Sequence, residues 1–136
     1  MTRYAIDART ALRIIREGVE VPTAHSLVGP SLLRSHVLGL VYDELRDGAI
    51  TPSEAKTLLD GLATLRIRLL GDRVSRSVAL TLAAEHEWPD TADAEYLAVA
   101  TLQADALVAV DDELRRKAEG LVELAPFDAL SGPTTA

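Results

Sequence analysis

Cysteine is missing altogether from this 136-residue chain, which excludes a disulfide framework and any thiolate metal site. Aromatic residues are scarce, with one tryptophan, one phenylalanine and three tyrosines. The chain therefore lacks the interleaved rings of many single-strand nucleic-acid binders. No apolar run approaches the roughly 20 residues that span a bilayer, and the N-terminal stretch has no signal-peptide core. No membrane association and a cytoplasmic location are the expectations. Positive charge is in the minority: 14 Lys and Arg stand against 21 Asp and Glu, a net charge of −7. Such a balance argues against a general DNA-coating protein, while leaving room for a local basic track beside an acidic site. P-loop, GxGxxG, GxSxG and zinc-ligand spacings are also absent, so serine-nucleophile chemistry has no support.

What is present suits a soluble globular protein: 48% of residues are hydrophobic and 26% charged. The length suffices for a single well-buried core. We read residues 1–130 as one domain and "SGPTTA", 131–136, as a C-terminal tail.

The chain opens with a short apolar strand, Tyr4 to Ile6, and then changes to helical spacing with Ala8, Ala11, Leu12 and Ile15 on one side. Gly18 suits the left-handed position that ends a helix. A second strand is expected near "HSLV", and Ser31 as the cap of a helix carrying Leu33, Val37, Leu40, Val41 and Leu45. Thr51, Pro52 and Glu54 read as N-cap, first helical residue and capping-box partner of the next helix. "RIRLL" fits either strand or loop, and Asp72 to Glu87 reads as a helix stopped by "WPD". Asp93 to Gln103 is helical again, "ALVAV" a buried strand, "DDELRRKAEG" a short helix and "LVELA" a last strand. Strands alternating with helices imply an α/β fold with a central, mainly parallel sheet flanked by helices.

Asp7 follows the first strand and Asp111 follows "ALVAV", each where a strand gives way to a helix. Asp93 opens "DAEYLAVATLQ". Parallel sheets bind ligands beyond the carboxyl ends of their strands, which is the edge where Asp7 and Asp111 fall. Aspartate is equally a favoured helix cap that gains from the helix dipole. That reading suffices for Asp72, Asp90 and Asp112.

"YAIDARTAL", "DAEYLAVA" and "ALVAVDDEL", in this order and at this spacing, resemble the PIN domain, and in particular the VapC-like toxins of type II toxin–antitoxin pairs. The likeness runs from about Arg3 to Leu130. It implies a PIN-like fold and a divalent-metal-dependent endoribonuclease. Asp7, Asp93 and Asp111 would be its catalytic and metal-holding carboxylates. It further implies Mg²⁺ or Mn²⁺ as cofactor, RNA as substrate, a cognate antitoxin protein as partner, and a homodimer. Hard divalent cations take oxygen ligands, and several unpaired carboxylates repel one another without a cation. A bound metal would activate water and stabilise charge on the scissile phosphate.

Two positions depart from the family pattern. The family usually places another acid early in the helix after the second strand, where this chain has His36, or Ser35 if the register slips by one. Glu44 lies roughly 12 Å further along that helix axis and does not replace it. His36 reads as a substrate contact or metal ligand, as a general base titrating near neutrality, or as a structural residue between Leu32 and Leu40. Many family members also have a small hydroxyl residue two places after the first aspartate. Here Arg9 stands there and Thr10 follows, so both are candidates for substrate binding, and Arg9 alternatively pairs with Asp7.

Arg66, Arg68, Arg73 and Arg76 form the densest basic stretch, suited to an RNA backbone or to a solvated helix face. Trp88 and Tyr96 suit base stacking or the edge of a core, while His25 and His86 are expected to be exposed. A phosphorylated receiver domain would need an acidic pair after the first strand and a lysine after a late one; neither is evident. Two functions remain: the metal-dependent ribonuclease toxin, and a weakened or inactive PIN-fold interaction module that binds an antitoxin-like partner.

Overall fold

A computed structural model describes residues 1–132. Its centre is a four-stranded sheet in the order β3-β2-β1-β4, formed by β1 (Thr2–Ile6), β2 (His25–Pro30), β3 (Arg68–Leu70) and β4 (Ala106–Val108). Every pairing is parallel. Helices α1 (Ala8–Glu17), α2 (Leu33–Arg46) and α3 (Pro52–Thr64) pack against one another, and α5 (Ala92–Gln103) packs on β1 and β2 with α4 (Arg73–Glu85) behind it. Helix α6 (Asp112–Ala118) follows β4. The result is the expected α/β architecture, consistent with a PIN-like fold, with a sheet that is wholly parallel.

The core follows from this layering. Ile6, Leu33, Val37, Leu97, Leu107, Val108 and Leu114 are almost entirely buried, each contributing on the order of 1.5–3 kcal/mol relative to exposure. Gly18 adopts φ 61° and returns its N–H to the last carbonyls of α1. Thr51, Pro52 and Glu54 form the reciprocal capping box read from the sequence. Asp72 caps α4, which ends at Glu85 because Glu87 turns to φ 54°. "RIRLL" resolves as the edge strand β3.

Four expectations need correction. Ser31 does not cap α2: no side chain does, and the Ser31 N–H donates to the Leu70 carbonyl, tying the turn to β3. "ALVAV" is extended only to Val108, because the Thr10 hydroxyl takes both the Val108 carbonyl and the Val110 N–H out of the ladder. "LVELA" is not a strand. Leu124 makes a single bridge to Leu107, between a left-handed turn at Gly120 and Pro126, which has no N–H to extend the pairing. His25 is buried, since it begins the interior strand β2; its ring meets Tyr4 edge-on, with Nε2 2.9 Å from the Gly132 carbonyl oxygen. His86 is exposed as expected and stacks on Trp88. Of the tail expected at 131–136, Ser131 and Gly132 are described and the rest lies outside the described residues.

Gly61 marks the closest approach of α3 to α1: a Cβ built there falls 2.5 Å from Ile15 Cγ2. Helix propensity alone would make Gly61→Ala stabilising by about 1 kcal/mol. The methyl it meets sits on a β-branched carbon with little rotamer freedom. We predict that Gly61→Ala instead destabilises the fold by about 1–3 kcal/mol in urea unfolding. An increase in stability would show that α1 and α3 are not packed this closely.

Candidate functional site

The chain runs β1 to β2 to β3 on one side of the sheet, then returns to β4 on the other side of β1. The order therefore reverses between β1 and β4, and a crevice opens beyond their carboxyl ends. Asp7 follows β1 and Asp111 stands three residues beyond β4, so both lie at this reversal.

Asp7 is 2% exposed. Its Oδ1 accepts the Thr10 N–H at 2.8 Å, capping α1, and its Oδ2 accepts the Asp111 N–H at 3.1 Å. Both carboxylate oxygens therefore hold backbone donors, which makes a buried charge tolerable. Asp111 caps α6 through Oδ2, and its Oδ1 lies 3.4 Å from Arg9 Nε. Asp93, in the first turn of α5 after Thr91, is bound by Lys117: Nζ donates to Oδ2 at 2.8 Å. Both partners of that pair are largely shielded, with side chains 17% and 24% exposed.

Tyr96 is buried on α5, with its hydroxyl 2.9 Å from His36 Nδ1. Burial, then the charge of Asp7, pushes the Tyr96 phenol well above its ordinary range, so it stays a neutral hydroxyl. His36 is half-buried and bridges α2 to α5 through this contact. Among its alternative roles, the geometry favours the structural one. Ser35, the other candidate at this position, is exposed. Glu95 neighbours the cluster on α5, and burial raises its pKa above the usual glutamate range.

Thr10 is fully buried. Its hydroxyl donates to the Val108 carbonyl at 3.0 Å and accepts the Val110 N–H at 3.1 Å. The expected substrate contact is thus a brace between α1 and the end of β4. Arg9 is exposed and pairs with Asp111 rather than Asp7. The four arginines do not form one track to the aspartates. Arg66 and Arg68 line a cleft of about 650 Å³ at the start of β2, while Arg73 and Arg76 begin α4. The edge strand β3 lies three strand spacings from β4, roughly 14 Å.

The aspartates meet the chemical requirement of a hard divalent cation, which takes carboxylate oxygens. Their arrangement does not fit one. Each Asp7 oxygen already accepts one backbone N–H, Asp111 holds Leu114 and Arg9, and Asp93 holds an ammonium. Among the described residues, no three His, Asp or Glu side chains converge as a metal-holding group. Lys117 was not legible as a site residue. Its only signal was its position in the last turn of "DDELRRKA", where a cation favours the helix dipole.

No family model matches the chain, and no curated protein does. Among solved structures, the crystal structure of PAE2754 from Pyrobaculum aerophilum aligns with a TM-score of 0.68 at 20% identity, covering 95% of this chain and 93% of that one. At that identity the likeness shows the fold alone. Among the described residues no helix is long and apolar enough to cross a membrane.

Because Thr10 holds the two strand ends in register, Thr10→Val leaves a carbonyl and an N–H unpaired in the interior. We expect a loss of about 1–3 kcal/mol by chemical unfolding, with Thr10→Ser retaining most of the stability. Equal losses in both variants would assign the effect to packing rather than to the hydroxyl.

Proposed function

We propose that this chain is a PIN-type protein of the VapC-like toxin class that acts as a binding partner of an antitoxin-like protein, its aspartate site being neutralised from within. The observation that carries this reading is the pairing of Asp93 with the shielded Lys117 ammonium. His36 adds to it: it occupies the place of the acid that the resemblance calls for and is engaged with Tyr96. Arg9 lies against Asp111, although that pair is exposed and weak. Leu38 and Tyr42 on α2, with Val74 and Leu80 on α4, are large apolar side chains left exposed. They suit contact with a partner protein or with a second copy in a homodimer. A cytoplasmic setting goes with this reading, and with the lack of cysteine.

The placement of Asp7 and Asp111 at the strand-order reversal favours a second reading, the Mg²⁺- or Mn²⁺-dependent endoribonuclease. That reading requires Lys117 and Arg9 to leave the carboxylates, so we derive no hydrolytic step from the arrangement.

Incubation of purified protein with RNA and Mn²⁺ or Mg²⁺, beside Asp7→Asn, separates the two. The binding-partner reading expects cleavage no faster than the Asp7→Asn control, and a stable complex when the chain is co-expressed with an antitoxin-like protein. Metal-dependent cleavage that Asp7→Asn abolishes establishes the ribonuclease instead.

A further inference from the structure

We propose that the cleft at the start of β2 and β3 binds a small phosphate ester with the chemistry of a nucleoside monophosphate. Asp7 and Asp111 stand beyond the carboxyl ends of the strands, and this cleft opens at the opposite ends. The inference therefore goes beyond the antitoxin-like partnership and does not depend on it.

The cleft has a volume of about 650 Å³, within the range of small-molecule sites. Its charge is one-sided. Arg66 and Arg68 line it and no Asp or Glu does, in a chain whose net charge is −7. Among the described residues neither guanidinium pairs with a carboxylate, whereas Arg9, Arg13, Arg16 and Lys117 each do. Ile67 between them turns toward β2, its Cδ1 3.3 Å from a Cβ built at Gly29. Two guanidinium forks on one cleft suit the several oxygens of a phosphate.

Val21, Pro22, Leu27 and Leu65 give the same cleft an apolar wall. A second hollow of about 350 Å³ shares Val21, Leu27, Leu65 and Arg66 with it and continues to Ile14 and Ile15. Cationic and apolar surface adjoin at Arg66, which favours an anionic head on an apolar body over a bare ion.

His25 adds a third requirement. It lines the cleft and is buried. Its Nε2 faces the Gly132 carbonyl oxygen, which only accepts, so Nε2 carries the proton of the neutral ring. Nδ1 is then a buried acceptor with no partner among the described residues, a costly state until a donor meets it. A ligand hydroxyl supplies that donor. Phosphate, hydroxyl and a flat body with apolar faces are together the parts of a nucleoside monophosphate.

The test is titration of the full chain with adenosine monophosphate (AMP) by calorimetry, beside adenosine, ribose 5-phosphate and inorganic phosphate. AMP should bind saturably, and each of the three fragments at least about tenfold more weakly. Arg66→Gln and Arg68→Gln should each weaken AMP binding about tenfold by removing charge-assisted bonds, and the double variant should abolish it. Both arginines are exposed, so these variants should keep the wild-type Tm without ligand. Should the double variant fail to fold, Arg66→Lys with Arg68→Lys keeps the charge without the fork and should bind more weakly than wild type. Arg73→Gln, on α4 outside the cleft, should leave the affinity unchanged. In nuclear magnetic resonance, AMP should move the ring signals of His25 and leave those of His36 in place.

Four results overturn the proposal. The first is no saturable binding by about 10 mM AMP. The second is a fragment binding as tightly as AMP, which for inorganic phosphate means an adventitious ion only. The third is an arginine double variant that binds AMP like wild type. The fourth is AMP moving His36 in place of His25, which puts the nucleotide at the aspartate end of the sheet. Absence of AMP binding leaves the antitoxin-like complex standing, and absence of that complex leaves AMP binding standing.

Discussion

Asp7 places a negative charge where water scarcely reaches, and the end of the sheet is organised around satisfying it. A buried carboxylate is costly unless hydrogen bonds replace its hydration. The chain supplies them from two directions. The Thr10 N–H comes from the helix that Asp7 itself caps, and the Asp111 N–H comes from the segment leaving β4. Thr10 then joins those directions through its hydroxyl, bonded to Val108 and Val110. The first turn of α1 and the end of β4 are therefore fixed to each other through polar bonds inside an apolar core. Breaking any one bond leaves a group unpaired in low dielectric, where its cost is greatest.

That constraint sets what the aspartates are able to do. A carboxylate whose oxygens already accept two backbone N–H groups has less capacity for a cation than its residue type suggests. Asp111 is similarly committed as the cap of α6, and the same helix carries Lys117 back to Asp93. Helix α6 thus closes the site twice, by its N-terminus on Asp111 and by its last turn on Asp93. His36 on α2 engages the Tyr96 hydroxyl of α5. The acids that resemblance groups as a metal site are, in this fold, the fixed points of a hydrogen-bond network.

Local rules made much of this legible from the residues alone. Gly18 and the Thr51–Glu54 box act within a single turn of chain, so their chemistry and their geometry coincide. The alternation of apolar strands with amphipathic helices was enough for a parallel α/β sheet, because few other layers bury such segments. What failed depended on partners distant in sequence. "LVELA" has strand composition but meets only a three-residue strand and is bounded by Gly120 and Pro126. Ser31 has a capping side chain, yet its N–H is claimed by Leu70 across the sheet. His25 looked exposed because the composition around it does not reveal that β2 is flanked on both sides.

The site shows the same division. The placement of Asp7 and Asp111 at strand ends followed from periodicity, whereas their partners did not. Arg9 was weighed against Asp7, its neighbour in the chain, but the turn into α1 points it to Asp111. Lys117 lies 24 residues from Asp93 and looked like one of several cations in a solvated helical turn. Only the tertiary fold separates it from Arg115 and Arg116, which are exposed, and sets it half-buried against Asp93 and Trp88. Charge type alone therefore misjudged the cluster: three aspartates suggest an unmet demand for positive charge, and the tertiary fold meets part of that demand from within the chain.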